Sequence, residues 1–129
     1  YMKSYKYIRN IENLGKALAQ FSKALAEPES VIVRDASIQR FEFTYELLWK
    51  TVKSFLEDFH GVRAVSPRQV FKEAFAIDII DNEDIFLEML ESRNALAHTY
   101  SEKQARDIYE KCPQYLTAME QTFSHLSKN

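Results

Sequence analysis

The chain has 129 residues, 17 Lys and Arg against 19 Asp and Glu, and a formal charge of -2, which excludes a protein that coats nucleic acid through bulk positive charge. Cys112 is the only cysteine, which excludes a disulfide framework and a Cys-rich zinc site and suits a reducing cytoplasm; its thiol is read as a surface group. No apolar run approaches the ~20 residues that span a bilayer and no signal-peptide h-region stands near the N-terminus, so the expectation is a cytoplasmic protein with no membrane contact.

A chain of this length is expected to be one domain over residues 1–129, burying about two thirds of its unfolded surface without a disulfide or metal. Tyr1 precedes Met2 and is read as extraneous to the natural chain. Two glycines and three prolines leave few places to break a helix, and strand signals are poor. The expected fold is all-α, a compact up-and-down bundle of about five helices, four longer and one short.

The first helix is expected from about Lys3 to Ala26, with Tyr7, Ile11, Leu14, Leu18, Phe21 and Leu25 on one stripe and Pro28 ending it. The second is the longest. Ile38, Phe41, Tyr45, Leu48, Val52, Phe55 and Phe59 form a seam at steps of three and four, and Gly61 marks its end. Ala36, Phe43 and Leu47 lie on its far side, as further core or as an interface; the large apolar Phe43 favours the interface. Glu46 and Lys50 stand i,i+4 in the favourable order, a pair that on a solvated surface contributes only about 0.3 to 0.5 kcal/mol. Ser66, Pro67 and Gln69 read as the capping box of a short third helix. Asp81 and Asp84 open the fourth, which is expected to yield near Tyr100. There Ser101 and Gln104 start a fifth, carrying a core stripe from Ala105 to Leu126 that Pro113 kinks or divides. His60 and His125 have no polar company at helical spacing and are read as surface residues.

The fourth helix carries the candidate site. On a helical wheel Phe86, Met89, Leu90, Leu96, Ala97 and Tyr100 form an apolar arc with Arg93 near its centre, where a purely structural helix would place leucine. The opposite stripe, from Asp84 through Glu88 and Glu91, offered solvent positions, and arginine is rarely buried unless paired. Asn94 and His98, at i and i+4, share one edge of the arc. The cluster reads as the wall of a polar cleft; the plainer alternative is an arginine that snorkels out of an apolar face beside a structural histidine. There is no Gly-rich phosphate loop, H-E-x-x-H, paired cysteine or G-x-S-x-G elbow, so no cofactor and no metal are expected.

Arg93-Asn94-x-x-x-His98-x-Tyr100 resembles the R-x4-H-x-Y signature of HEPN-domain proteins, the small helical partners of minimal nucleotidyltransferases in prokaryotic toxin-antitoxin pairs. The run from Arg40 to Lys50, RFEFTYELLWK, resembles the "RFEFTFEL-WK" helix of the nucleotidyltransferase substrate-binding branch of that superfamily. The stretch from Ser66 to Phe75 resembles that branch's short third helix. The likeness covers most of the chain in the right order and leaves the first helix and the last residues undiagnostic.

The resemblance implies a homodimer acting as a toxin, a metal-independent endoribonuclease whose composite site forms where two protomers meet, neutralised by a cognate minimal nucleotidyltransferase. It assigns catalysis to Arg93 and His98. An imidazole can take the proton of a ribose 2'-hydroxyl near neutral pH while a guanidinium holds the phosphate and its developing charge. Asn94 would orient the imidazole or bind a phosphate oxygen, and Tyr100 would accept an adenylyl group from the partner. Phe43, Glu46 and Lys50 fall in the same cleft or interface. The alternative is a non-catalytic subunit that binds a nucleotide or other substrate for a two-protein nucleotidyltransferase.

Overall fold

The computed structural model describes residues 4–128 and, among them, five helices: α1 (Tyr5–Ala26), α2 (Val31–His60), α3 (Pro67–Ala76), α4 (Glu83–Leu96) and α5 (Glu102–Ser127). Each starts at a residue whose side-chain oxygen accepts a backbone N–H of its own first turn. The pairs are Ser4 with Tyr7, Ser30 with Val33, Ser66 with Gln69, Asn82 with Asp84, and Ser101 with Gln104. These bonds satisfy donors that a helix start otherwise leaves open, each contributing about 1 kcal/mol.

The helix ends follow equally local causes. Gly61 closes α2 in the left-handed conformation, φ 64°, which a residue without Cβ adopts at little cost. At α3 the expected capping box is half formed: Ser66 caps Gln69, but the Gln69 side chain accepts from the N–H of Val65. At α5 the box is complete, with Gln104 Oε1 returning to Ser101 N–H at 2.8 Å. Asn82, rather than Asp81, caps α4. Pro113 does not divide α5, which runs unbroken through it. Lys3, the expected start of α1, and Tyr1 lie outside the described residues.

The seam of α2 is the spine of the bundle. Ile38, Phe41, Tyr45, Leu48, Val52 and Phe55 are buried, and Phe59 packs partly buried beside them. Phe41 stacks on Tyr115 of α5 at 5.1 Å between ring centroids, and Tyr45 meets Phe71 of α3 at 5.9 Å. Phe71 in turn meets Phe86 of α4, at 5.0 Å. A second buried stripe, Ser37, Thr44 and Thr51 at heptad spacing, accompanies the seam. Thr44 and Thr51 turn their hydroxyls back onto the carbonyls of Arg40 and Leu47, at 2.7 and 2.6 Å. Small side chains satisfied within their own helix let α1 come close: the Thr44 hydroxyl also reaches the Ala17 carbonyl at 3.4 Å. Gly15 performs the same service toward α5, since a Cβ there would stand 3.1 Å from the Phe123 ring.

Two expectations outside the site are corrected. Cys112 is buried in the core, where desolvation pushes its thiol pKa up to about 12. His125 lies 3.4 Å from Asp81, so it does have polar company, whereas His60 is exposed and packs on Phe55. No described helix is long and apolar enough to cross a membrane.

Candidate functional site at the end of the fourth helix

Helix α4 is fixed on its core side by Phe86, Met89 and Leu90, all buried. Deeper support comes from a polar chain. The Ser92 and Tyr115 hydroxyls are 2.9 Å apart, Tyr115 donates to Glu88 at 3.1 Å, and Lys111 reaches Glu88 at 2.8 Å. Glu88 thus belongs to a network joining α4 to α5. The Lys111 hydrogen bond chiefly, with help from Tyr115, holds its carboxyl below the usual glutamate range.

One residue beyond Ser92, Arg93 turns toward α2. Its Nη1 donates to Glu46 Oε1 at 2.8 Å, and its guanidinium lies 5.5 Å from the centroid of the Tyr45 ring. The side chain is 28% exposed, so the arginine is paired and largely covered. Its place in the last turn also sets a cation against the negative end of the helix dipole. Glu46 is itself braced: Trp49 Nε1 donates to its other oxygen at 3.1 Å, and Lys50 Nζ stands 3.9 Å away. Glu42 lies close enough to feel both charges. Burial raises its pKa, Arg93 opposes that, and Glu46 adds to it. Among the described residues, Arg93 Nε and the Tyr45 hydroxyl are buried without a hydrogen-bond partner.

Sequence reasoning placed Arg93 and Glu46 in one cleft but did not join them. A wheel shows which face of its own helix a residue occupies and not what faces it from another. The off-pattern arginine on α4 and the extra acids on α2, Glu42 and Glu46, are the signal that would have paired them.

The helix stops earlier than expected. The Ala97 N–H folds back on the Arg93 and Asn94 carbonyls and the His98 N–H on Ala95, at 3.1, 3.2 and 3.3 Å, which ends α4 at Leu96 instead of near Tyr100. His98 and Tyr100 therefore stand in the connection at 97–100, and the expected i,i+4 pairing of Asn94 with His98 and the shared azimuth of Arg93 and Tyr100 are not formed on a helix. Ala97 and Tyr100 are exposed instead of completing the apolar arc, Tyr100 by 41%. Asn94 and His98 are exposed too, and among the described residues none hydrogen-bonds any of these three side chains. Just past this stretch, the Ser101 capping box fixes the chain again.

The far side of α2 is also exposed. Phe43 is 55% and Ile32 81% accessible, and Ala36 lies open between them, whereas Leu47 packs partly into the core. Among the described residues, no three His, Cys, Asp or Glu side chains group as metal ligands would.

Comparison with known proteins adds four findings. The family model for "nucleotidyltransferase substrate binding protein like" proteins matches residues 9–128. A Haemophilus influenzae protein named probable ribonuclease HepT is 27% identical over 84 residues, 62% of this chain, and the chain spans 58% of that relative's length. A crystal structure of a Thermus thermophilus protein superposes with a TM-score of 0.83 at 34% identity, over 88% of this chain and 98% of that one. A Haemophilus influenzae structure, described as revealing the fold of a substrate binding domain of a nucleotidyltransferase, superposes with a TM-score of 0.63 at 19% identity. It covers 94% of this chain and 96% of its own, and shares the fold.

Proposed function

This chain belongs to the nucleotidyltransferase substrate-binding protein family, and from that premise we propose that it is the helical partner of a minimal nucleotidyltransferase and, as a homodimer, a metal-independent endoribonuclease toxin. The observation that carries the reading is the contrast of anchoring within one short motif: a guanidinium held by Glu46 and Tyr45, followed by an exposed imidazole in a five-residue connection. The relative named probable ribonuclease HepT supports the ribonuclease part of this reading.

In this reading Arg93 offers the phosphate the donors that Glu46 leaves free, which keeps a planar fork beside the scissile bond. His98 takes the 2'-hydroxyl proton, and the 2'-oxygen attacks the adjacent phosphorus. The 5'-oxygen departs and takes up a proton from water, leaving a 2',3'-cyclic phosphate and a 5'-hydroxyl. Asn94, on the last turn of α4, contacts a phosphate oxygen or orients the imidazole. The protein incubated with total RNA in the presence of a chelator is expected to cleave it, and His98→Ala to lose roughly two to four orders of magnitude in rate with its helical circular dichroism intact. Cleavage that dies with the chelator or survives the substitution contradicts the mechanism.

The dimer seam is assigned to the open apolar stripe of Ile32, Ala36 and Phe43, and a symmetric pair would bring two motif copies into one assembly. Light scattering of a Phe43→Asp variant as a monomer beside a dimeric parent supports the seam; a parent that is monomeric at micromolar concentration refutes it. Tyr100 is assigned as the acceptor of adenylyl groups from the partner nucleotidyltransferase, which would add a negative phosphate to the exposed connection that carries His98 and repel RNA there. Peptide mass mapping after incubation with that partner, ATP and magnesium checks this, and a modification unchanged in Tyr100→Phe rules it out.

A second reading, a binding subunit without catalysis, draws on the pairing itself: Glu46 already occupies one edge of Arg93, as it would in a site built to hold a ligand by exchange. Retained RNA or nucleotide binding with no cleavage under any condition favours it.

A further inference from the structure

Between α1 and the second half of α2 lies a cleft of about 310 Å³ that contains no residue of the motif from Arg93 to Tyr100, although Leu47, Trp49 and Lys50 in its lining belong to the run from Arg40 to Lys50. Its floor is Leu47 and Trp49, and three cations stand around it: Lys6 from α1 and Lys50 and Lys53 from α2. Glu57 is the one acid in the lining, so the cleft carries a local excess of positive charge in a chain whose formal charge is -2. Lys53 and Glu57 stand i,i+4 and form no ion pair, and among the described residues only Lys50 of the three is paired, at 3.9 Å from Glu46.

That one pair ties the cleft to the motif. Glu46 gives one oxygen to Arg93 at 2.8 Å and faces Trp49 and Lys50 with the other, at 3.1 and 3.9 Å. Arg93 and Lys50 therefore flank the same carboxylate, and the floor tryptophan braces it. A cationic groove lined by a tryptophan, whose Trp49 and Lys50 share a carboxylate with an arginine, has the chemistry of a path for a single nucleic-acid strand: ammonium groups track phosphates while a base lies against the ring.

We propose that this cleft binds the stretch of single-stranded RNA flanking the phosphate held by Arg93, with Lys50 and Lys53 contacting backbone phosphates and Trp49 and Leu47 receiving a base. The proposal rests on the ribonuclease reading for its ligand and adds a subsite on another pair of helices. It also explains why the chain concentrates unpaired lysines there while its overall charge is slightly negative: affinity comes from a local set of phosphate contacts and not from bulk charge.

The test measures binding, so that it does not depend on cleavage. The full chain carrying His98→Ala is titrated against a fluorescein-labelled single-stranded oligouridylate of about twelve nucleotides, long enough to fill a strand-binding groove, by anisotropy at several salt concentrations. Adding Lys50→Ala and Lys53→Ala is expected to weaken binding roughly ten-fold or more and to reduce the salt slope by about 1.4, two single-strand phosphate contacts at about 0.7 each. Lys50→Arg with Lys53→Arg, which keeps both charges, is expected to restore most of the affinity. If the alanine pair leaves affinity and slope unchanged while Arg93→Ala weakens binding, the strand runs elsewhere and only the subsite is overturned. If the His98→Ala protein binds no RNA even at low salt, the subsite and the ribonuclease reading fall together. If the alanine pair abolishes binding of a fluorescent ATP analogue and spares RNA, the cleft is a nucleotide site and the proposal is wrong.

Discussion

Arg93 and His98 are five residues apart, yet one is held on three sides and the other on none. Arg93 sits in the last turn of α4, bonded to Glu46, over Tyr45, at the negative end of the helix dipole. His98 stands past the helix end with its side chain exposed, in a connection tied down by backbone alone where the Ala97 and His98 N–H groups fold back and where Ser101 caps α5. The difference separates two requirements of phosphoryl chemistry. A group that binds charge gains from being preorganised before the substrate arrives, because no reorganisation is then needed at the transition state. A group that moves a proton must reach the sugar of a polymer, and solvent access serves it better than burial. In the proposed function those tasks fall to the rigid end of a helix and to the chain just after it.

The contrast is broken most severely at the anchor. Arg93→Lys keeps the charge and removes the planar fork, so RNA cleavage is expected to fall on the order of a hundred-fold, and thermal stability to fall as well because Glu46 and Tyr45 lose their partner. His98→Ala, by contrast, should leave the melting temperature nearly unchanged. An Arg93→Lys protein with full activity would show that the anchor is structural only.

A smaller effect is expected one layer down. Tyr115→Phe removes a buried hydroxyl that bridges Ser92 and Glu88, costing about 1 to 2 kcal/mol in denaturant unfolding. Because Ser92 is the residue before Arg93, the same variant should also loosen the anchor, read as a modest loss of RNA affinity. Unchanged stability would mean that the network contributes nothing.

The smallest effect is a pH dependence. The Glu88 carboxyl is held below its ordinary value of 4.5, chiefly by the Lys111 hydrogen bond. A carboxyl whose folded pKa is depressed stabilises the fold above its unfolded pKa, and that contribution is lost as pH falls through the folded value. Lys111→Ala should therefore lower stability near neutral pH, by less than about 1 kcal/mol given the exposure of both groups, and the gap to the parent should close below about pH 4.5. A gap that widens on acidification would reverse the sign of the assignment.

The frame was legible in the sequence because it is written in local chemistry. Apolar steps of three and four gave the α2 seam, Ser101 with Gln104 gave a complete capping box, and Gly61 gave a helix end. The site residues were legible individually, Arg93 as the polar residue on an apolar arc. Their arrangement was not. The end of α4 depends on Ala97 and His98 folding back, and residues 97–100 carry neither glycine nor proline to announce it. The Arg93–Glu46 bond joins residues 47 positions apart, and only tertiary packing decides it. Cys112 was read as a surface thiol, yet it is buried in an unbroken α5, a placement that tertiary packing decides.

In the proposed mechanism His98 and Arg93 together drive attack by the ribose's own 2'-oxygen. The most direct measurement is the chemistry of the product ends from a defined single-stranded oligoribonucleotide incubated with the protein and a chelator. The expected products carry 2',3'-cyclic phosphate and 5'-hydroxyl ends, absent with His98→Ala and absent when the 2'-hydroxyl at the cleaved position is replaced by hydrogen. Ends bearing a 3'-hydroxyl and a 5'-phosphate, or cleavage of the 2'-deoxy substrate, would contradict it.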